Sequence, residues 1–382
     1  MSVPAVLPLW REDVLGSRFA RLELPLASDD EGPVVATLVR HGGSGGVPAP
    51  VTAHAGLPPG AGPWPRVRSA LRRFFDPDGH RAPAGQAAAG QGSHVPDIRA
   101  PEKVVLYLHG WADYFLQAEL ADHVVASGFH FYALDLRKFG RSLRDWQTPG
   151  YTTDLAVYDE DIAAALAEIG SDIAARTGST VAPTVHLLAH SLGGLVAALW
   201  ADRNPGRLGT LILNAPWLEL QGSSLIRNIA MHFVEPLART DPHRALLLPA
   251  MPGYWDSVSG TAHGEWDVDP VWRPKESFPV RPGWTKAVMA GHAAVAQRLD
   301  IKSPVLVMLS GRTRIQAEWS EELMGLDAVI DVEETARSAL GLGRRAAVFR
   351  YPGALHDVFL SRRAVRREAY DDLVLWLSLY PG

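Results

Sequence analysis

Ser191 stands where a hydroxyl can become a nucleophile. It lies in VHLLAHSLGG, residues 185–194, in which a short apolar run leads into a turn and then into the helical stretch LVAALWA. A strand followed at once by small-x-Ser-x-Gly and a helix makes a sharp turn that pushes the serine out of the sheet. Here the small positions are Ala189 and Gly193, with alanine where glycine is usual. The alternative reading is a strand–helix junction with a capping serine. A serine hydroxyl attacks only when a base takes its proton. Of the fourteen histidines, His356 in GALHDVFLS has the best topological case, because it follows the last apolar strand pattern of the chain. His190 adjoins Ser191 on a tight turn and points another way, so it is read as structural, as is His109.

A third group must orient the base and stabilise its cation. In the chain order serine, acid, histidine, the acid belongs after the strand PVLVMLS at 304–310. The stretch directly after it, GRTRIQ, carries no acid. Asp327, in GLDAVIDVEETA, is the chosen candidate. Asp331 is the runner-up, with helix capping as its bland explanation. An oxyanion formed by attack needs hydrogen-bond donors. The amide of Leu192, at a helix start, is one candidate. The amide of Trp111, after His109-Gly110 at the end of an apolar strand, is the other.

These groups must be carried by a sheet. RFARLELPL (18–26) and VVATLVRH (34–41), with Gly32-Pro33 between them, predict an antiparallel hairpin. KVVLYLHGW, HFYALDL, the 185–190 run, TLILNAP, PVLVMLS and AAVFRYP are β-rich and apolar, and helical patterns alternate with them. That alternation predicts an α/β fold, a mostly parallel doubly wound sheet with an antiparallel hairpin at its N-terminal edge. Two stretches break the pattern. Residues 42–101 are rich in glycine, proline and alanine and predict a flexible insertion, with one short basic helix at 64–75 and His54, His80 and His94 as solvated loop residues. Residues 216–302 hold five of the twelve tryptophans and predict a cap over the carboxyl ends of the strands. The expected division is therefore an edge hairpin (1–41), the insertion (42–101), a core (102–215 and 303–382) and the cap (216–302).

Composition narrows the choice. The formal charge of −5 gives no reason to expect nucleic acid or an anionic membrane as partner. There is no cysteine, hence no thiolate metal site or thiol nucleophile. No basic leader precedes an apolar run, and no apolar stretch approaches the roughly 20 residues of a spanning helix. The expectation is a cytoplasmic protein without stable membrane insertion, needing neither metal nor organic cofactor.

LHGWADYF, DLRKFGRS, HSLGG and the late LHD, in that order, resemble the α/β-hydrolase superfamily. More narrowly they resemble its monoglyceride-lipase and lysophospholipase-like branch, which includes serine aminopeptidase-like hydrolases. The resemblance covers about residues 15–41 and 102–382. It implies Ser191 as nucleophile, His356 as base, Trp111 and Leu192 as oxyanion amides, and Asp327 as acid after an insertion of some fifteen residues. DLRKFGRS departs from the family's DxRGxGxS by Lys138 in place of glycine. The activity implied is hydrolysis of a small acyl ester such as a monoacylglycerol or lysophospholipid. A peptidase or thioesterase with the same residues, and a non-catalytic binding protein, are the rivals. Trp217, Tyr254 and Trp255 are the candidate substrate contacts. Glu219, Asp256, Glu265 and Asp267 would instead suit a peptide's amino terminus.

Overall fold

A computed structural model describes residues 10–42, 100–219, 234–249, 251–316 and 318–380. The basic stretch 64–75 and His54, His80 and His94 fall outside them. Among the described residues the strands are β1 (Arg11–Asp13), β2 (Gly16–Asp29), β3 (Gly32–His41), β4 (Lys103–Leu108), β5 (His130–Asp135), β6 (Thr184–His190), β7 (Leu211–Asn214), β8 (Val305–Ser310) and β9 (Ala346–Tyr351). They form one sheet in the order β1-β2-β3-β5-β4-β6-β7-β8-β9. β1, β2 and β3 are antiparallel, β3 meets β5 antiparallel, and every pair from β5 to β9 is parallel. Only β1, too short to show a period, has no counterpart in the sequence reading.

The parallel strands are long apolar runs because helices cover both of their faces. One face carries Val104, Leu106, Leu108, Leu187, Ala189, Leu211, Leu213, Val305 and Val307. It is closed by α2 (Tyr158–Thr177), α3 (Ser191–Arg203) and α5 (Pro282–Ala296). The other face carries Val105, Tyr107, Leu188, Ile212, Leu306 and Met308 and is closed by α1 (Ala118–Ala126) and α7 (Arg363–Leu379). Alternate residues of each strand feed opposite layers, as the pleat requires. α3 is apolar all round and is buried from Ser191 to Ala201, which is the pattern of a helix with no solvent face.

Between β7 and β8 lie α4 (Gly253–Val258) and α5. The weak periodicity of this stretch predicts neither. The segment bonds back to the loops that follow β4 and β9. Trp266 Nε1 donates to the carbonyl of Leu360 at 2.8 Å, and the Asp269 amide donates to Tyr114 Oη at 2.9 Å.

β4 connects to β5 on one side, and the chain then crosses back so that β6 pairs with β4 on the other. The carboxyl ends of β4 and β6 therefore flank the point where the winding reverses. Open α/β sheets leave a crevice at that point.

Candidate active site

Ser191 opens α3 directly at the end of β6 with φ of 50°. A left-handed serine costs on the order of 1–3 kcal/mol and persists only where the surroundings enforce it. The surroundings here are two glycines. A Cβ on Gly193 would lie 2.2 Å from the His109 carbonyl oxygen, and one on Gly194 would lie 2.7 Å from Pro216 Cβ. Their bareness lets α3 press against the loops after β4 and β7. The Trp217 amide also donates to the Ser191 carbonyl at 3.0 Å. The turn is thus held from two sides while its hydroxyl is left for another partner.

That partner is His356. Its Nε2 is 3.0 Å from Ser191 Oγ, and its Nδ1 is 2.9 Å from Asp327 Oδ2. A carboxylate oxygen only accepts, so Nδ1 carries the proton and Nε2 is the acceptor for the serine hydroxyl. Both His356 and Asp327 are buried, in a setting where an imidazolium formed at Nε2 would feel the carboxylate little screened by water.

Asp327 reaches this place by a detour. After β8 the chain runs through Arg312 and Thr313, leaves, and returns so that Asp327 bridges Thr313 in parallel. The Asp327 amide donates to the Arg312 carbonyl, and the Arg314 amide donates to the Asp327 carbonyl, both at 2.9 Å. The residue stands beside Thr313, just after β8, although sixteen residues separate it from Ser310. Its other oxygen, Oδ1, accepts from the amides of Val329 and Ile330 at 2.8 and 2.9 Å. Asp331 is used differently: its Oδ1 caps α6 (Val332–Ala339), accepting from Glu333 and Glu334 at 2.9 Å each.

The two amides expected as oxyanion donors belong to segments next to Ser191. Leu192 N belongs to the first turn of α3, where amides have no acceptor within the helix. Trp111 follows Gly110, whose backbone passes so close that a Cβ there would lie 3.1 Å from Ser191 Cβ. His109 and His190 are committed elsewhere. His109 Nε2 accepts from the Leu136 amide at 3.0 Å, joining the loops after β4 and β5. His190 Nδ1 bonds the Asn214 carbonyl at 3.0 Å, and burial pushes its pKa down. Lys138, at φ of 62°, sends its ammonium to Asp29 and Glu31 at 2.5 and 2.6 Å and so ties DLRKFGRS to the edge hairpin.

The three candidate substrate contacts part company. Trp217 lies in an aromatic group with Trp284 (6.0 Å between centroids), while Trp284 stands 3.9 Å from Trp111 and Trp111 5.8 Å from Phe278. Tyr254 meets His356 edge-to-face at 5.3 Å, and its Oη accepts from the Asp357 amide at 3.2 Å. Trp255 Nε1 donates to the Arg273 carbonyl at 2.9 Å.

Sequence reasoning passed over Asp357, Asn214 and Gln117. Asp357 is buried and accepts from Asn214 Nδ2 at 2.6 Å, Gln117 Nε2 at 2.8 Å and its own loop's Phe359 amide at 2.9 Å. Asn214 Oδ1 in turn accepts from the Val358 amide at 3.1 Å. These bonds fix the loop that carries His356 to the ends of β7 and of the stretch before α1. The signal available in sequence was only that a carboxylate follows the histidine directly.

Among the described residues no group of histidines and carboxylates is arranged to hold a metal, and no helix is long and apolar enough to cross a membrane.

A serine at the carboxyl end of a parallel strand, a histidine after the last strand and this strand order together define an α/β-hydrolase. The sequence model of the family described as serine aminopeptidase, S33, matches residues 99–362, and the chain belongs to that family. Among solved structures, a soluble variant of monoglyceride lipase from Saccharomyces cerevisiae, in complex with a substrate analogue, is similar with a TM-score of 0.54 and 17% identity over 74% of this chain and 88% of that one. The monoacylglycerol lipase of Paleococcus ferrophilus gives 0.52 and 19% over 73% and 96%. A thermostable carboxyl esterase from Bacillus coagulans, in complex with glycerol, gives 0.55 and 13% over 94% and 98%. At such identities the likeness is one of fold. No curated protein sequence matches the chain.

Proposed function

We propose that the protein hydrolyses small acyl esters, of the monoacylglycerol or lysophospholipid kind, through a covalent acyl-serine. The observation that carries this reading is the bonded sequence Ser191 Oγ, His356 Nε2 and Nδ1, Asp327 Oδ2, at 3.0 and 2.9 Å. Ser191 Oγ attacks the ester carbonyl carbon while its proton passes to His356 Nε2. The oxyanion so formed takes hydrogen bonds from the amides of Leu192 and Trp111. Collapse breaks the bond to the alkoxy oxygen, which leaves as alcohol with the proton from Nε2. Water then repeats the sequence on the acyl-serine, with His356 again as base, and the acid departs. Asp327 keeps the imidazole in the tautomer that can accept at Nε2. No metal or organic cofactor enters any step.

An apolar acyl chain would suit the aromatic group of Trp111, Trp217, Phe278 and Trp284. We read residues 216–302 as the cap that supplies part of this group. A peptidase reading needs a free carboxylate for the substrate's amino terminus. Two of the acids offered for that role are already paired, Asp256 with Lys275 at 2.7 Å and Glu265 with Arg366 at 2.7 Å, which favours the ester reading.

A fluorophosphonate probe tests whether the serine is activated: the wild type labels and Ser191→Ala does not. Absence of labelling in the folded wild type leaves a binding protein as the reading. Rates on p-nitrophenyl esters of graded chain length, against aminoacyl anilides and acyl-CoA, decide the substrate class. Faster turnover of anilides or thioesters than of every ester overturns the ester assignment.

A further inference from the structure

Tyr254 and Arg273 both come from the segment between β7 and β8, Tyr254 half-buried and Arg273 buried. Arg273 is buried, and its Nη1 donates to Asp113 Oδ1 at 2.8 Å. Asp113 is itself buried and stands two residues beyond Trp111, on the loop after β4. The same guanidinium lies 5.2 Å from the centroid of the Tyr254 ring, within cation–π range. Tyr254 in turn touches His356 edge-to-face at 5.3 Å, and its Oη accepts the amide of Asp357, the next residue along.

These contacts make one chain of groups with two ends. One end holds the loop that offers the Trp111 amide. The other bears on the imidazole and on the backbone beside it. Desolvating both charges offsets most of their attraction, so a pair placed here is a weak source of stability. What it does supply is a fixed distance, since an Arg–Asp pair shut away from water has few other arrangements to adopt.

We propose that Tyr254, held by the Arg273–Asp113 pair, is a positioning residue for His356, so that the inserted segment completes the geometry of the catalytic base. The inference rests on the reading of Ser191, His356 and Asp327 given above. Without the ring, the imidazole loses the surface against which it stands while keeping its bond to Asp327. Without Arg273, Tyr254 loses its own support and Asp113 becomes an unpaired buried carboxylate.

The test pairs a readout of the imidazole with a readout of the reaction. The His356 Nδ1 proton bonded to Asp327 is followed by proton NMR in the wild type, Tyr254→Phe, Tyr254→Ala, Arg273→Lys and Arg273→Met, with thermal melting measured on each. Tyr254→Phe keeps the ring and is the variant that folds if the larger change does not. The expected result is a shifted or broadened resonance in Tyr254→Ala and Arg273→Met, a partial effect in Tyr254→Phe, and recovery in Arg273→Lys. Turnover follows the same order, with kcat down on the order of a hundredfold in Tyr254→Ala and KM within about twofold, as a misplaced catalytic group predicts. An unchanged resonance in folded Tyr254→Ala, or in Tyr254→Phe and Arg273→Met should it not fold, overturns the inference, as does a loss expressed in KM alone. Failure of the Ser191, His356 and Asp327 reading shows separately, as a wild type that a fluorophosphonate leaves unlabelled.

Discussion

His356 and His186 are both almost wholly hidden from water, at 2% and 0% exposed. Their surroundings could hardly differ more. At the carboxyl end of the sheet, both ring nitrogens of His356 are bonded, one to a carboxylate and one to a hydroxyl. Near the amino end, His186 on β6 has neither nitrogen bonded, and its ring lies edge-to-face with Phe129 at 5.8 Å. Burial with partners sets the ring of His356 between an acceptor and a hydroxyl. Burial without partners penalises the imidazolium, and the pKa of His186 falls to about 4. Equal concealment thus yields an imidazole with both nitrogens bonded in one place, which we read as the base, and a packing side chain in the other. The difference comes from what the neighbouring loops deliver to each nitrogen.

The sharpest way to break this contrast is to remove the groups that set it. Ser191→Ala and His356→Ala should each reduce kcat by up to about 10⁶ without loss of fold, and the double variant should lose little more, because the two act as a unit. Losses that multiply would mean that the groups do not share one step. Asp327→Asn should follow, lowering kcat by about 10⁴ by presenting the wrong tautomer at Nε2. Asp331→Asn should leave turnover close to wild type, since its carboxylate is spent on the amides of Glu333 and Glu334, whereas Asp331→Ala should cost about 1 kcal/mol in urea unfolding. If Asp331→Asn abolishes turnover and Asp327→Asn does not, the acid has been misassigned.

Much of this was legible in the sequence, for reasons that differ by residue. The strands from β4 to β9 announce themselves as apolar runs because both faces are covered, and strand alternation with helices leaves few topologies. Ser191 is marked by its small neighbours, which the close approach of α3 to the loops after β4 and β7 requires. His356 follows from chain order. Asp327 was harder, because the pairing of Thr313 with Asp327 returns the chain after an excursion that leaves no period in the sequence. Tyr254 shows the limit most plainly. As a residue type it suits a substrate wall, and only the folded chain reveals that it bears on His356 and on the Asp357 amide. α4 and α5 escaped for a related reason: prolines and tryptophans that serve tertiary contacts blur the helical stripe.

A smaller effect probes how firmly the carboxyl end is held. Gly193→Ala places a Cβ 2.2 Å from the His109 carbonyl oxygen, a backbone atom that cannot swing aside. Either the serine turn or the loop bearing Trp111 must move, and kcat should fall on the order of a hundredfold. Gly110→Ala meets its neighbours at 3.1 Å, so a shift of a few tenths of an ångström accommodates it and the loss should be several times smaller. Equal losses in the two variants would show that the turn yields more readily than its contacts indicate.

The gentlest test addresses the other histidine. A folded-state pKa depressed to about 4 from the ordinary 6.5 means that the unfolded chain takes up this proton first. The stability that neutral His186 contributes is therefore fully present above about pH 6.5 and is lost as the pH falls from there through about 4. Each pH step of one across that window removes about 1.36 kcal/mol, so the loss between pH 7 and pH 5 is on the order of 2 kcal/mol. Other groups titrate in the same window, so the quantity to measure is the difference between wild type and His186→Leu in urea unfolding at the two values. The gap should change in favour of His186→Leu on acidification by roughly that amount, while its kcat at neutral pH stays at the wild-type level. A gap that does not move with pH would show that the ring finds a partner on protonation, and the contrast between the two histidines would then reduce to their distance from Ser191.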